Sequence, residues 1–373
     1  MKNIDRLIFQ TEAFDFSEQS EKLFNLAMLE SFGHHYNYSG LYRKVCQKQG
    51  VKPFSVTHYK EIPYTFVSSL KSHKFITGEE KDVEISLSSS GTGGKKTFIY
   101  LDMKSLQRIE RIVHNIFGAL GMVSDYATNY ICFTYDPEIA GDVGTAFSDK
   151  MLTGLTGEGE VFYTMKYSEK EKDFLLDTDL TIKKLREYCN MPIPLRILGF
   201  PAHLYFTLQQ YYDQGGRQLN MPEGSFIITG GGWKNHTGQE IPKEEFKKML
   251  SDMLGIPVQN IRDHYGMVEH GIPYVDCEHG NMHVPSYSRC HTFDPVTGEI
   301  HDKDHEGLLM LFSPYCNSYP SISLISTDKV VIRDDCPCGR GKYIDLKGRA
   351  GKKKHKGCAL VALDKLRGQI DSK

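Results

Sequence analysis

Strand-like and helix-like patterns alternate along most of this chain of 373 residues. Apolar runs typical of buried strands occur at 130–135 and 225–229, and apolar residues recur at helical spacing in 109–120 and 178–191. Such alternation predicts layers of helices packed on a sheet, the α/β class. The stretch 270–347 is richer in strand patterns than the rest and predicts a smaller β-rich subdomain.

Charge and apolar content are those of an ordinary globular protein. The 45 basic residues nearly balance the 47 acidic ones, and 40% of the residues are hydrophobic, which excludes a disordered chain or a strongly basic nucleic-acid-coating one. We find neither a signal-peptide core nor an apolar run near the roughly 18–20 residues that cross a bilayer. We therefore expect a cytoplasmic protein with no nucleic-acid partner and no membrane span.

A loop rich in serine, glycine and lysine lies between two predicted strands within 82–100. Its sequence is Ser88-Ser89-Ser90-Gly91-Thr92-Gly93-Gly94-Lys95-Lys96. Hydroxyl, backbone N–H and ammonium groups are donors for a phosphate, and glycine lets the backbone approach the anion. The spacing fits neither a Walker A loop nor the dinucleotide fingerprint, and a flexible hairpin turn is the alternative. We predict phosphate binding by Ser88, Ser89, Ser90, Gly91, Thr92, Gly93 and Lys95.

The chain contains nine cysteines, an odd number with irregular spacing, which favours thiol or metal chemistry over a disulfide framework. Cys277 and His283 lie close together in sequence, as do Cys336 and Cys338. Two ligands from each of two segments suit a tetrahedral structural Zn²⁺ site. His279 is a competing fourth ligand, and thiols at loop ends without a metal are the alternative.

The serine- and glycine-rich loop followed by lysine resembles the signature of the adenylate-forming superfamily, which includes the acyl-CoA synthetases. Further motifs occur in the order found in that superfamily: Gly230-Gly231-Gly232-Trp233, Tyr265-Gly266-Met267-Val268-Glu269, Ser326-Thr327-Asp328, and Gly348-Arg349 with Lys356-Gly357. Each motif alone is weak, but their common order is specific. The resemblance implies ATP and Mg²⁺ as cofactors.

The same resemblance implies particular ligands for the nucleotide and its metal. Asp328 can accept hydrogen bonds from the ribose hydroxyls, and the planar guanidinium of Arg349 can bind phosphate or ribose. The carboxylate of Glu269 can hold Mg²⁺ against the triphosphate. The implied nucleotide-binding residues outside the loop are Gly231, Gly232, Tyr265, Asp328 and Arg349.

Within the superfamily the whole chain is similar to the phenylacetate-CoA ligase branch, and in it to the acyl-protein synthetases of the bacterial bioluminescence fatty acid reductase complex. Superfamily ligases continue after the hinge motif with a mobile domain that carries a catalytic lysine, whereas 24 residues follow Arg349 here. We expect an adenylate-forming large domain at 1–347, including the β-rich subdomain. The segment 348–373 is then a hinge remnant and tail, without the C-terminal lid domain.

Cys358 directly follows Lys356-Gly357, at the position that matches the acyl-carrying cysteine of the acyl-protein synthetases. The basic run 352–356 and a helix predicted from Ala359 would lower the pKa of its thiol and favour the nucleophilic thiolate. A small buried residue at a helix start, next to a solvated basic tail, is the alternative. The resemblance makes Cys358 the predicted catalytic nucleophile.

The resemblance implies that a long-chain fatty acid is activated to acyl-AMP and transferred to a protein cysteine. The thioester would feed reduction to an aldehyde for bioluminescence, with acyl-protein reductase and acyl-transferase subunits as partners. An acyl- or aryl-CoA ligase that releases to free CoA is an alternative enzyme. A non-catalytic nucleotide-binding subunit of a reductase complex is an alternative of another class.

Overall fold

The computed structural model describes residues 2–88, 97–136, 138, 144–170, 173–233 and 240–350. The predicted nucleophile Cys358 and its tail lie outside the described residues. The same holds for six residues of the predicted phosphate loop: Ser89, Ser90, Gly91, Thr92, Gly93 and Lys95.

Helices and strands alternate along the described chain. The helices are α1 (Asn3–Gln10), α2 (Glu18–Tyr38), α3 (Gly40–Lys48), α4 (Met103–Ala119), α5 (Gly144–Thr153), α6 (Thr178–Tyr188), α7 (Pro201–Asp213) and α8 (Lys243–Leu254). The strands up to residue 265 are β1 (Thr65–Phe66), β2 (Ile85–Ser88), β3 (Phe98–Leu101), β4 (Asn129–Tyr135), β5 (Val161–Ser168), β6 (Asp173–Leu176), β7 (Leu195–Gly199), β8 (Phe226–Gly230) and β9 (Ile261–Tyr265). Those after it are β10 (Tyr274–Asp276), β11 (Met282–His283), β12 (Arg289–Phe293), β13 (Ile300–His301), β14 (Glu306–Phe312), β15 (Ser323–Arg333) and β16 (Tyr343–Arg349).

The chain forms two compact units that interleave in sequence. Unit 1 comprises 1–119, 267–274 and 281–373, and unit 2 comprises 120–266 and 275–280. No helix in the described part of either unit is long and apolar enough to cross a membrane.

Unit 2 is built on a sheet in the order β6-β5-β4-β7-β8-β9. The β4, β5, β7, β8 and β9 strands run parallel, and β6 is antiparallel to β5. Apolar side chains from the strands and from α6, α7 and α8 form its core, including Ile131, Ile197, Leu185, Leu208 and Leu250. All the parallel strands end at one edge, where ligands of open α/β sheets bind.

Unit 1 contains an antiparallel sheet in which β12, β14, β15, β16 and β11 are neighbours. β13 pairs with β12 at one edge, and β1 adds to β15 in parallel register. β15 and β16 pair through a register shift between Lys329 and Val330, after which Asp328 lies opposite Arg349. These strands agree with the β-rich pattern that the sequence predicts for 270–347.

The predicted phosphate loop is flanked by paired strands in unit 1. β2 and β3 are antiparallel, and Ser88 at the end of β2 is buried opposite Phe98. The chain then enters α4, whose first turn is capped by Asp102, because the backbone N–H of Ser105 donates to its Oδ1 at 2.9 Å. The strands on both sides of the loop, and the helix after them, are therefore as predicted.

Candidate nucleotide and metal sites

The end of β8 and the turn after it, Gly230–Gly232, favour glycine at each position. Gly231 and Gly232 have φ values of 74° and 65°, a left-handed backbone that favours glycine. A Cβ added to Gly230 would lie 2.3 Å from Cε1 of His264 on the neighbouring strand β9. Backbone groups of this turn can therefore approach a ligand closely at the carboxyl edge of the unit 2 sheet.

The imidazole of His264 is fixed against this turn. Its Nδ1 lies 2.9 Å from the carbonyl oxygen of Thr229. Because a carbonyl oxygen only accepts, Nδ1 carries the proton, and Nε2 keeps its lone pair. Burial lowers the pKa of His264, which keeps the ring neutral. The sequence pattern did not mark this residue; its one signal was its position directly before Tyr265, the last residue of β9.

A buried charge network holds the end of β9. The fully buried carboxylate of Asp276 accepts from Lys243 Nζ at 2.7 Å, from Lys247 Nζ at 2.9 Å and from the backbone N–H of Asp263 at 2.9 Å. The Oδ1 of Asp263 accepts from Thr229 Oγ1 at 3.1 Å. Burial raises the pKa of Asp263 to about 6. Side chains thus tie β9 to both β8 and α8.

Trp233, the single tryptophan of the chain, follows the glycine turn. Its ring lies 5.7 Å from that of Tyr205 on α7 and 5.4 Å from that of Phe246 on α8, measured between centroids. Such aromatic contacts hold the indole in a defined position. Trp233 is thus an optical reporter placed beside the turn.

Asp328 and Arg349 form an ion pair in unit 1. Nε of Arg349 donates to Oδ1 of Asp328 at 2.8 Å, and the backbone N–H of Asp328 donates to Ser326 Oγ at 3.0 Å. The side chain of Asp328 is 11% exposed and that of Arg349 is 58% exposed. The carboxylate is therefore held rigidly, while the guanidinium presents much of its surface to solvent. The structure thus brings together two of the predicted nucleotide ligands.

Glu269 lies on a tight turn of unit 1. The backbone N–H groups of His270 and Gly271 donate to the carbonyl of Met267 at 3.0 and 2.8 Å. The buried ring of His270 anchors the turn, since its Nε2 lies 2.8 Å from the hydroxyl of Tyr274. Glu269 itself is 8% exposed. One carboxylate on a fixed turn fits Mg²⁺, which proteins bind through one or two carboxylates together with phosphates.

Three of the four predicted zinc ligands gather in unit 1. Sγ of Cys338 lies 3.0 Å from Nε2 of His283 and 3.4 Å from Sγ of Cys336. The chain reverses over residues 336–339, where the N–H of Gly339 donates to the Cys336 carbonyl at 3.2 Å, and Gly339 has a φ of 72°. His283 lies on β11, which pairs with β16, and this pairing positions its ring beside Cys338.

The three ligand atoms fit a metal of the size of zinc. They lie within 4.8 Å of one another, and neighbouring ligand atoms around tetrahedral zinc are about 3.5–3.8 Å apart at its usual bond lengths. Burial lowers the pKa of His283, which favours the neutral imidazole that a metal requires. Cys277, the fourth predicted ligand, belongs to unit 2, where its thiol accepts from the N–H of His279 at 3.3 Å.

The fold is similar to those of solved adenylate-forming ligases. The structure is similar to that of 2-hydroxyisobutyryl-CoA ligase in complex with 2-HIB-AMP, with a TM-score of 0.66 and 13% identity over 92% of this chain and 70% of that one. A long-chain-fatty-acid-CoA ligase from Archaeoglobus fulgidus gives a TM-score of 0.50 and 13% identity over 74% of this chain and 53% of that one. The predicted α/β fold of an adenylate-forming enzyme is confirmed, and the lack of a C-terminal lid domain stays a prediction.

The sequence comparisons give the family. The model of the family "Acyl-protein synthetase, LuxE" matches residues 1–367, and the chain belongs to this family. The long-chain-fatty-acid–luciferin-component ligase of Aliivibrio fischeri is 27% identical over 367 residues, covering 96% of this chain and 92% of the relative. That of Vibrio harveyi is 25% identical over 360 residues, with the same coverage. The prediction of a ligase of the acyl-protein synthetase family is confirmed.

Proposed function

We propose that this protein activates a long-chain fatty acid with ATP and transfers the acyl group to a protein cysteine. The observation that carries the proposal is the match of the acyl-protein synthetase family over residues 1–367. The relatives from Aliivibrio fischeri and Vibrio harveyi are named for ligation of a long-chain fatty acid, which supports this substrate class.

In the first step, a carboxylate oxygen of the fatty acid attacks the α-phosphorus of ATP. The bond to the β-phosphate oxygen breaks, and pyrophosphate leaves with its electron pair, so that acyl-AMP remains. The loop with Ser88, Ser89, Ser90, Gly91, Thr92, Gly93 and Lys95 is proposed to bind the phosphates. Its donors stabilise the charge that moves onto the leaving group.

Further residues are proposed to hold the rest of the nucleotide. The held carboxylate of Asp328 accepts from the ribose hydroxyls, and the exposed guanidinium of Arg349 donates to ribose or phosphate. The left-handed turn of Gly231 and Gly232 lets the backbone approach the base, and Tyr265 at the end of β9 contacts it. Glu269 would hold Mg²⁺, which supplies charge neutralisation for the triphosphate.

In the second step, the thiolate of Cys358 attacks the carbonyl carbon of acyl-AMP, and AMP leaves with the electron pair of the acyl–phosphate bond. The resulting thioester passes to a cysteine of an acyl-protein reductase, and an acyl-transferase subunit supplies the fatty acid. The first step consumes ATP, which the cytoplasm supplies, so we place the protein in the cytoplasm.

We also propose that a structural Zn²⁺ binds to His283, Cys336 and Cys338. The distances among these three ligand atoms support the proposal. The sequence spacing makes Cys277 the fourth ligand, with His279 as its competitor. A closed site with four protein ligands stabilises the fold and leaves no open position for chemistry.

Labelling of the full chain tests the proposed reaction. The purified protein is incubated with radiolabelled tetradecanoic acid, ATP and Mg²⁺, then separated on a denaturing gel, and released pyrophosphate is measured in parallel. We expect pyrophosphate release and a protein label that hydroxylamine removes. Cys358→Ser should abolish the label while adenylate formation persists. Cys189→Ser, which changes a half-buried thiol after α6, is the matched control and should retain the label.

Other outcomes decide against parts of the proposal. Acyl-CoA formed on addition of CoA, without protein label, would make the protein a CoA ligase. Neither pyrophosphate nor label would make it a non-catalytic nucleotide-binding subunit. A label that persists in Cys358→Ser would leave acyl transfer in place and move the nucleophile to another residue.

A further inference from the structure

We infer that His264 selects the base of the nucleotide, because its Nε2 accepts a hydrogen bond from the 6-amino group of adenine. The inference rests on the proposed function, which brings ATP to the turn of Gly231 and Gly232 and to Tyr265. It adds a specificity-determining side chain to contacts that otherwise come from backbone and from an aromatic ring.

The position of His264 supports this role. It is the register partner of Gly230 on the adjacent parallel strand. Its ring covers the α-carbon of Gly230, since a Cβ there would meet Cε1 at 2.3 Å, Nδ1 at 2.7 Å and Nε2 at 2.9 Å. The imidazole thus occupies the space that a side chain at 230 would fill. It lies where the glycine turn begins and one residue before Tyr265, at the edge where sheets of this kind bind ligands.

The hydrogen bonding of the ring decides which base it can accept. The Thr229 carbonyl, 2.9 Å from Nδ1, fixes the proton on that nitrogen and makes Nε2 an acceptor. Adenine presents a donor at its 6-position, whereas guanine and hypoxanthine present the acceptor O6. An acceptor facing an acceptor leaves both groups unpaired and repelling, which a buried site penalises strongly. His264 therefore favours adenine over 6-oxopurines.

The chain provides the signal with which to test this. Fluorescence of Trp233, the single tryptophan, follows binding of Mg²⁺ complexes of ATP, inosine triphosphate and purine riboside triphosphate to the full chain. Purine riboside triphosphate lacks the 6-amino group and carries nothing in its place. We expect it to bind about 3–10-fold more weakly than ATP, the usual range for one neutral hydrogen bond, and inosine triphosphate more weakly still.

Two substitutions separate selectivity from support of the turn. In His264→Leu, the three affinities should converge to within about twofold, because the acceptor is removed. In His264→Gln, the amide N–H can donate to the Thr229 carbonyl, and the amide oxygen can accept from adenine. The preference for ATP should therefore persist. His114→Leu, on an exposed histidine of α4, is the matched control and should behave as wild type.

The outcomes distinguish this inference from the proposed function. If wild type binds ATP and inosine triphosphate equally, or if His264→Leu weakens all three nucleotides by the same factor, His264 does not select the base. ATP activation can still hold in either case. If wild type binds no nucleotide, the proposed function fails and the inference with it. Should His264→Leu fail to fold, loss of the ATP preference in folded His264→Gln overturns the inference.

Discussion

Arg349 donates from Nε to Oδ1 of Asp328 across the last register pair of β15 and β16, at 2.8 Å. The side chain of Asp328 is largely buried and that of Arg349 is largely exposed, so the ion pair orients the guanidinium towards solvent. Because Arg349 is mostly exposed to solvent, this ion pair contributes about 1 kcal/mol or less to stability. Its removal should therefore affect ligand binding more than folding.

We predict that Arg349→Ala raises the ATP concentration needed for half-maximal pyrophosphate exchange by about tenfold or more, the range for a hydrogen bond to a charged group. The melting temperature should change by no more than a few degrees. Arg333→Ala is the matched control, since Arg333 pairs with Asp345 at 3.1 Å on the same two strands. Equal kinetic effects of the two substitutions would contradict a nucleotide role for Arg349.

We predict that the purified protein contains one zinc ion per chain and loses thermal stability on prolonged chelation. A metal bound by the folded state alone stabilises that state, so its removal lowers the melting temperature. Cys338→Ser should abolish the zinc measured by elemental analysis, because the Cys338 thiol lies at hydrogen-bond distance from His283. Cys189→Ser should retain it. Full zinc content in Cys338→Ser would show that the metal lies elsewhere.

We predict that unit 1 loses stability as the pH falls below about 6.5. Burial lowers the pKa of His35 to about 3, whereas in the unfolded chain it titrates near 6.5. The unfolded state therefore binds the proton first, and stability decreases from about pH 6.5 towards pH 3. At pH 5 the loss from this one histidine is about 2 kcal/mol.

Chemical denaturation at pH 7.5 and pH 5 measures this loss. The ring of His35 is held at Nδ1 by Thr77 Oγ1 at 2.8 Å and at Nε2 by the Cys316 carbonyl at 3.1 Å, so His35→Gln also lowers stability at neutral pH. The informative quantity is the change in the free energy of unfolding between pH 7.5 and pH 5, which should be smaller in His35→Gln than in wild type. His114→Gln should leave the change as in wild type. An unaltered pH dependence in His35→Gln would argue against the prediction.

We predict that Asp149→Asn stabilises unit 2 at pH 8. Asp149 is buried on α5, where its Oδ2 accepts from the hydroxyl of Thr134, and burial raises the pKa of the carboxyl to about 7. The unfolded chain releases this proton near pH 4, so the native state is penalised progressively between about pH 4 and pH 7. Asparagine should therefore raise the free energy of unfolding by an amount on the order of 2–4 kcal/mol above pH 7, and should change it little below pH 4.

Denaturation curves at pH 8 and pH 4 check this prediction. Asp252→Asn, on the exposed face of α8, is the matched control and should change stability by less than about 0.5 kcal/mol at both pH values. A destabilised Asp149→Asn at pH 8 would mean that the folded protein stabilises the charged carboxylate instead of disfavouring it.

Local patterns predicted the elements that border the sites. The spacing of apolar residues predicted α4, and strands were expected on both sides of the loop that starts at Ser88. Each of these elements depends on residues that are close together in sequence. The His283, Cys336 and Cys338 group was also predictable, because few chemistries other than metal binding bring those residue types together at such spacing.

Pairings between distant positions could not be predicted in the same way. Asp328 and Arg349 were each expected to bind nucleotide, yet their mutual ion pair depends on the register shift between Lys329 and Val330, which no local pattern shows. His264 gave no signal beyond its position before Tyr265, since its packing depends on the missing side chain of Gly230 on another strand. The raised pKa of Asp149 could not be predicted either, because it results from burial, which depends on the tertiary structure.

The interleaving of the two units fixes an order of events during synthesis. Strand β1 pairs with β15, with Thr65 opposite Leu324. The N-terminal helices belong to the same unit as this sheet, so they leave the ribosome long before the strands of the sheet are synthesised. The nearly continuous unit 2 is complete far earlier, and domains that emerge first generally fold first. Until that sheet forms, residues of α2 that are buried in the folded protein, such as Phe24 and Phe32, stay exposed to solvent. The nascent chain is therefore most exposed to aggregation and chaperone binding at its own beginning.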